Sequence, residues 1–174
     1  MIIFLSGLSA VGKTTTAEAF VARHTEFRHV VASRLIKGGG ASIRPSSRAD
    51  LDRNQKILLR EFRELRHTSA ERIHLILDGH MVIETREGEE LIEDKVIDGL
   101  QVSHFIVITD DPYRIYSTRR RGSSGRPISL DTIQRLQMLE IDATRRQAER
   151  CGSPSFEVQS GDVEALERIF GLDS

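Results

Sequence analysis

The sequence contains a single cysteine, Cys151, so an internal disulfide bond is excluded. It has no Cys/His spacing typical of a zinc site, and no apolar stretch approaches the length that spans a membrane. The apolar run from Ile2 to Leu5 is too short and too uncharged for a signal peptide. We therefore expect a protein of the reducing cytoplasm whose core needs neither disulfides nor a structural metal.

A large excess of charge of one sign is also missing. The 174 residues carry 25 Lys and Arg against 26 Asp and Glu, which gives a formal net charge of −1. Nothing in this balance indicates nucleic acid or an anionic membrane as a partner. The basic residues comprise four lysines and 21 arginines. Arginine's planar guanidinium suits phosphate and carboxylate groups, although most of these arginines are expected on solvated helix faces.

Short apolar runs alternate with helical patterns along the chain, which predicts an α/β sandwich around a parallel sheet. No composition break divides the sequence, so we expect one domain over residues 1–174. The predicted strands are Met1 to Ser6, Phe27 to Ala32, Ile73 to Leu77, Phe105 to Ile108 and Ser155 to Gln159. Helices are predicted near 13–24, 51–65, 88–100, 130–150 and 163–170. A further helix is predicted to begin at Asp110-Asp111-Pro112.

The residues from Gly7 to Thr14 match the phosphate-binding pattern G-x-x-x-x-G-K-[ST] at every fixed position. Gly7 and Gly12 let the backbone wrap its N–H groups around phosphates, and the following helix adds its positive end. We expect an exposed Lys13 to contact the β- and γ-phosphates of ATP, and the Thr14 hydroxyl to ligate Mg²⁺. The other nucleotide-binding residues predicted in this loop are Ser9, Ala10, Val11 and Thr15.

Asp78 and His80 follow the apolar run that ends at Leu77. The carboxyl ends of parallel strands line the ligand crevice of such folds, so Asp78 is predicted as a second magnesium partner that acts through water. The alternative is a loop aspartate that caps a turn. His80 is expected either to face the substrate or to hydrogen-bond the loop.

Four arginines flank a short Gly-Ser segment at 122–125. Phosphoryl transfer spreads charge over the γ-phosphate oxygens, and arginines on a closing lid stabilise that charge and exclude water. We favour Arg120 and Arg126 as the catalytic arginines, with Arg119 next. The alternative is a solvated basic loop without a role in catalysis.

These features together resemble the small nucleoside monophosphate kinases, and most closely the archaeal-type adenylate kinases. The resemblance rests on the P-loop at 7–14, on Asp78-Gly79-His80, on Asp111-Pro112 and on an arginine lid at about 119–127. It implies a P-loop NTPase fold, a three-layer sandwich with a five-stranded parallel sheet in the order 2-3-1-4-5. It also implies that the adenine of ATP contacts the loop Ser160-Gly161-Asp162.

The same resemblance implies that residues 33–66 form a flap that binds the phosphate acceptor. Lys37 lies where related kinases often carry an arginine for the acceptor phosphate, and AMP is the first acceptor that this suggests. The flap carries three further cations, Arg34, Arg44 and Arg48. The sequence departs from the archaeal enzymes in two places: residues 86–90 replace a Gly- and Pro-rich loop, and Pro127 stands where an aspartate is expected after the lid arginine.

The leading interpretation is an ATP- and Mg²⁺-dependent nucleoside monophosphate kinase that acts on a small-molecule acceptor. The sequence leaves open whether the protein forms an oligomer. A kinase of another small acceptor, such as a nucleoside, a sugar or a shikimate-like acid, is the first alternative, and a neutral acceptor would not need the flap cations. A regulatory or assembly ATPase is the second, and its partner would require an exposed apolar patch. A GTPase is disfavoured because no Asn/Thr-Lys-x-Asp motif occurs.

Replacing Lys13 with alanine is predicted to abolish nucleotide turnover while the protein stays folded. The reason is that the motif assigns the Lys13 ammonium to the phosphates of the nucleotide and not to packing of the core. ATP turnover and far-ultraviolet circular dichroism of the wild type and the variant measure the two properties side by side. Turnover close to that of the wild type would contradict the P-loop assignment.

Overall fold

Seven strands and seven helices make up the part of the chain that the computed structural model describes, residues 1–43, 45–70, 72–85, 88–121 and 128–172. In chain order the elements are β1 (Ile2–Ser6), α1 (Lys13–Arg23), β2 (Phe27–Val31), α2 (Ala32–Gly38), α3 (Arg48–Thr68), β3 (His74–Asp78), β4 (Val82–Glu84), β5 (Glu89–Leu91), α4 (Asp94–Leu100), β6 (His104–Thr109), α5 (Pro112–Arg121), α6 (Leu130–Cys151), β7 (Ser155–Gln159) and α7 (Val163–Phe170). No helix in these ranges is long and apolar enough to cross a bilayer.

Five of the strands form one parallel sheet in the order β2-β3-β1-β6-β7. Counted among the main strands alone, this is the order 2-3-1-4-5, so the predicted fold is confirmed. β1 lies at the centre, with Phe4 opposite Leu77 of β3 on one side and Phe105 of β6 on the other. The carboxyl ends of β1 and β3 therefore meet at one edge, where Ser6 leads into the P-loop and Asp78 ends its strand.

The apolar strands are buried because helices cover both faces of the sheet. All five residues of β1 are buried, as are Phe105 to Thr109 of β6. β7, at one edge of the sheet, buries only Val158 fully. The hydrophobic core thus centres on β1, β3 and β6, the strands that position the functional loops.

The segment from 82 to 100 differs from the prediction. The helix expected from Gly88 begins only at Asp94, and Glu89–Leu91 instead pairs antiparallel with Val82–Glu84 to form a hairpin. Gly88 has φ of 138°, a conformation that favours glycine, and its carbonyl accepts a hydrogen bond from the Thr85 N–H at 2.7 Å. Strands of three residues are too short to show a period of two, which is why the sequence pattern missed them.

Helix α2 was also missing from the prediction. It begins at Ala32, directly after β2, and no side chain caps its N-terminus. The capping residues predicted for α5 and α6 are confirmed. Asp111 accepts hydrogen bonds from the first turn of α5, and Gly152 ends α6 in the left-handed conformation.

Replacing Phe20 with alanine is predicted to reduce the free energy of unfolding by about 3–5 kcal/mol, because it removes a fully buried ring from the core. The Phe20 ring centroid lies 4.9 Å from that of Phe27 and 5.9 Å from that of Phe170, so the variant opens a cavity between α1, β2 and α7. Urea unfolding measures the change. Tyr113→Ala is the control, since that side chain is exposed, and equal losses in the two variants would contradict the packing described here.

Candidate active site

The P-loop adopts backbone conformations that its glycines make possible. Gly7 has φ of 141° and Gly12 has φ of 100°, both in the region that L side chains rarely adopt. A Cβ atom would lie 2.6 Å from the Ile108 carbonyl oxygen at Gly7 and 2.2 Å from the Ser160 Oγ at Gly12. The two glycines therefore provide both the turn and the close approach of the loop to β6 and to residue 160.

Lys13 is buried, with 7% of its surface exposed, so the expectation of an exposed side chain was wrong. Its Nζ donates hydrogen bonds to the carbonyl oxygens of Gly7, at 2.7 Å, and Leu8, at 3.2 Å. Side chains in the first turn of a helix lean toward its N-terminus, which directs the Lys13 stem back into the loop. Burial lowers the pKa of Lys13. The charges of Asp78 and Glu140 act to raise this pKa, but burial outweighs them.

Asp78 lies beside the start of α1, as predicted. The Thr14 hydroxyl donates to its Oδ2 at 2.7 Å, and the His29 Nε2 lies 3.3 Å from the same oxygen. Burial acts to raise the pKa of Asp78, but the hydrogen bonds from His29 and Thr14 and the charge of Lys13 outweigh it and hold the pKa below its usual value. The carboxyl group is therefore ionised at neutral pH.

A hydroxyl and an ionised carboxylate at this spacing are the kinds of oxygen ligand that Mg²⁺ takes, together with water and phosphate oxygens. Thr14 and Asp78 thus fit the predicted metal role. His29 was missed by the sequence analysis because its position in the middle of β2 carries no motif. Only the pairing of β2 with β3 brings its ring to Asp78.

Glu140 of α6 is a second residue that sequence reasoning missed. It is fully buried, and its Oε2 accepts a hydrogen bond from the Met81 N–H at 2.9 Å. Its Oε1 makes no hydrogen bond and lies 3.4 Å from the His80 Nδ1, at ion-pair distance. Leu136 and Thr144 lie one turn before and after Glu140 on the same buried stripe of α6. An acidic residue at a position where the helical pattern expects an apolar one could therefore have identified Glu140 from the sequence.

The loop predicted to contact adenine lies against the P-loop. The Thr16 hydroxyl donates to the Gly12 carbonyl oxygen and accepts from the Gly161 N–H, each at 2.9 Å. The Asp162 Oδ1 accepts from the Ala165 N–H at 2.9 Å and caps α7. One threonine thus connects the phosphate loop to residue 161.

A cavity of about 480 Å³ opens above the P-loop. One end is lined by the loop and the first turn of α1, including Ser9, Lys13 and Thr14, and Asp78 and His80 lie beside them. The other end lies between α2, α3 and the β4–β5 hairpin. The residues that those elements contribute include Ile36, Leu51, Asn54, Gln55, Leu58 and Ile83.

The predicted acceptor-binding cations that the structure describes do not line this cavity. Arg34 and Lys37 are exposed on α2, and neither belongs to its lining. Arg48 pairs with carboxylates, among them Glu90 at 2.6 Å. Arg44 lies outside the described residues.

The predicted lid arginines occupy different surroundings. Arg119 is mostly buried, and its Nη2 donates to both carboxylate oxygens of Glu84, at 2.9 and 3.1 Å, while its Nη1 is buried without a hydrogen-bond partner. Arg120 is exposed, with its guanidinium 5.6 Å from the centre of the Tyr116 ring. Arg126 lies outside the residues that the structure describes. The bonding at Arg119 ties the end of α5 to the hairpin beside the cavity.

The parallel sheet in this order, with a glycine-rich loop between β1 and α1 and a lysine and threonine at the start of α1, defines a P-loop nucleotide-binding protein. The chain belongs to the AAA domain family, whose model matches residues 6–137. No match was found among curated proteins.

Two solved structures share the fold. A shikimate kinase from Bacteroides thetaiotaomicron is 13% identical, with a TM-score of 0.52 and 99% of each chain covered. The tunicamycin resistance protein of Deinococcus radiodurans is 14% identical, with a TM-score of 0.65, and the match covers 99% of this chain and 96% of that one. At such identities the likeness shows the fold alone.

Replacing Lys13 with methionine is predicted to change how stability depends on pH. The pKa of Lys13 is lower in the folded protein than its ordinary value of 10.5, so below the folded-state pKa the buried charge reduces the free energy of unfolding. This destabilisation disappears as the pH rises toward 10.5, because the folded protein then releases the proton. The free energy of unfolding of the wild type, relative to the methionine variant, should therefore increase from neutral pH to about pH 10.5.

Urea unfolding of both proteins across that pH range measures this difference. Other titrating groups are common to both proteins and cancel in the comparison. A difference that stays constant, or that moves in favour of the methionine variant as the pH rises, would contradict the burial of a charged Lys13.

Proposed function

We propose that the protein transfers the γ-phosphate of ATP, bound with Mg²⁺, to a small molecule held in the 480 Å³ cavity. The supporting observation is continuity: the same cavity is lined by Lys13 and Thr14 of the P-loop, by Asp78, and by Leu58 of α3 well beyond the phosphates. A donor and an acceptor can therefore meet in one continuous cavity, and such positioning raises the efficiency of transfer. A cavity of this volume also favours a small acceptor over a macromolecular partner.

On the donor side, the backbone N–H groups of residues 9–13 and the Lys13 ammonium would hold the β- and γ-phosphates. Thr14 and Asp78 would hold the magnesium ion, Asp78 through water. When bound, Mg²⁺ neutralises phosphate charge. The loop at 160–162, joined to the P-loop through Thr16, would contact the adenine.

On the acceptor side, His80 is the group best placed to receive the proton of an attacking hydroxyl. Its ring lines the cavity next to Asp78, and the Glu140 carboxylate lies 3.4 Å behind it. Glu140 also fixes the turn through the Met81 N–H. A buried carboxylate behind an imidazole can orient the ring for proton transfer.

Arginines would stabilise the charge that develops on the γ-phosphate. Among the described residues the Nη1 of Arg119 has no hydrogen-bond partner, which supports this residue as the first of them. Arg119 lies outside the cavity lining, so its side chain would have to move to reach the γ-phosphate. Arg120 and Arg126 stay predictions from the sequence. Arg120 would have to leave the Tyr116 ring to act.

The nucleoside monophosphate interpretation, with AMP as the acceptor, also stays a prediction. It depends on a cation for the acceptor phosphate, and the residues proposed for that contact, Lys37 and Arg34, would have to move from the exposed face of α2 to the cavity. A coupled assay of ADP formation against a panel of nucleoside monophosphates, nucleosides, sugars and small hydroxy acids tests the proposed function. Failure of every acceptor to stimulate ADP formation would favour an ATPase instead.

Replacing Asp78 with asparagine is predicted to reduce the rate of ADP formation by about 10- to 100-fold, the usual cost of losing a partner that orients a metal through water. The dependence of the rate on Mg²⁺ concentration should shift to higher concentrations. Asp142→Asn is the matched control, because Asp142 is exposed on α6 and lies outside the cavity lining.

Rates measured as a function of Mg²⁺ concentration, for the wild type and both variants, give the result. Wild-type behaviour of Asp78→Asn, or wild-type turnover in the presence of a chelator, would contradict the magnesium role of Asp78.

A further inference from the structure

Gln55 lines the cavity and carries a buried amide that has no hydrogen-bond partner among the described residues. It belongs to α3, only 4% of the residue is exposed, and neither Nε2 nor Oε1 makes a hydrogen bond to any part of the chain that the structure describes. Burying an amide with its donor and acceptor both unpaired costs free energy, so its presence needs a reason. A ligand that pairs with both atoms supplies one.

The neighbouring residue on α3, Asn54, provides a comparison, because its amide has a structural role. Asn54 also lines the cavity and is also buried, but its Nδ2 donates to the Ser42 carbonyl oxygen at 2.7 Å. That bond holds the segment before α3 against the helix. Two neighbouring amides of α3 thus differ: the Asn54 amide is bonded within the fold, and the Gln55 amide is buried beside the cavity without a partner among the described residues.

The walls around Gln55 are mostly apolar. Leu51 and Leu58 lie one turn before and after it on α3, and Ile36, Ile43 and Pro45 add further apolar side chains. Such walls bind an apolar body and leave its polar groups to a few fixed partners. The Gln55 amide fits an adjacent donor and acceptor, as in a lactam, an imide or a primary amide.

The charges of the cavity disfavour an anionic acceptor. Lys13 is the one cation among the described residues of its lining, and it faces the phosphate loop. Arg34 and Lys37 lie outside the lining.

We propose that the acceptor is an uncharged alcohol with a largely apolar body, and that Gln55 selects it by pairing with an adjacent donor and acceptor. This inference rests on the proposed phosphotransfer. The hydroxyl oxygen attacks the γ-phosphorus and the bond to the β,γ-bridging oxygen breaks. ADP leaves with that oxygen, and the hydroxyl proton passes to His80.

The first test uses stability and needs no knowledge of the acceptor. Gln55→Leu replaces an unpaired amide by an apolar side chain of similar volume, so its melting temperature should equal or exceed that of the wild type. Asn54→Leu is the matched control: it removes a formed hydrogen bond and should lower the melting temperature. A loss in Gln55→Leu as large as that in Asn54→Leu would overturn the proposal, because the amide would then be bonded within the fold.

The second test uses matched pairs of probes that differ only in a phosphate: thymidine and its 5′-monophosphate, uridine and its 5′-monophosphate, and 5-(hydroxymethyl)-2-pyrrolidinone and its phosphate ester. Saturation-transfer NMR on the protein loaded with Mg²⁺ and a non-hydrolysable ATP analogue measures their binding. At least one neutral member should bind more tightly than its phosphorylated partner. Gln55→Leu should weaken that binding roughly tenfold, the cost of an unpaired group on the ligand.

Three outcomes would overturn the proposal: tighter binding by the phosphorylated members, no binding by any neutral member at its solubility limit, or neutral binding that Gln55→Leu leaves unchanged. The proposed function fails in a different way. If the wild type does not bind the ATP analogue with Mg²⁺ at all, phosphotransfer itself is contradicted.

Discussion

The site depends on one costly arrangement, the burial of the Lys13 ammonium beneath the P-loop. Its Nζ bonds to two backbone carbonyl oxygens and not to a carboxylate, so its charge is held in place without being neutralised. This requires the backbone to turn at Gly7 and Gly12 in conformations that other residues rarely adopt. It also requires the strand before the loop to be fully buried, because a loose β1 would not hold the carbonyls in position. A polyphosphate is the ligand whose charge complements such a group.

The end of β3 organises the region between the donor and acceptor sides. Asp78 receives the Thr14 hydroxyl and lies next to His29, which joins β2, β3 and the start of α1 through one carboxylate. Two residues further on, His80 lies in front of Glu140, a buried acid supplied by α6. Groups from four elements thus converge where donor and acceptor would meet, while the wall formed by α3 contributes shape and a single unpaired amide.

The sequence predicts local motifs and the features that burial imposes. The P-loop is eight contiguous residues, so its pattern could be identified directly, and the buried strands predicted a parallel sheet whose order the structure confirms. The β4–β5 hairpin escaped because its strands have three residues each. His29 and Glu140 escaped because their roles depend on contacts with residues 49 and about 60 positions away. The acceptor cations Lys37 and Arg34 were inferred by resemblance, and a pattern cannot show which face of α2 they occupy.

The most direct test of phosphotransfer to a small molecule follows the fate of the γ-phosphate itself. The protein would be incubated with Mg²⁺, ATP labelled in the γ-phosphate and a protein-free extract of small metabolites, beside a Lys13→Ala control, and the products separated by chromatography. Our account predicts that the wild type alone transfers label to an organic phosphate ester. Label released only as inorganic phosphate, at the same rate with and without the extract, would contradict it.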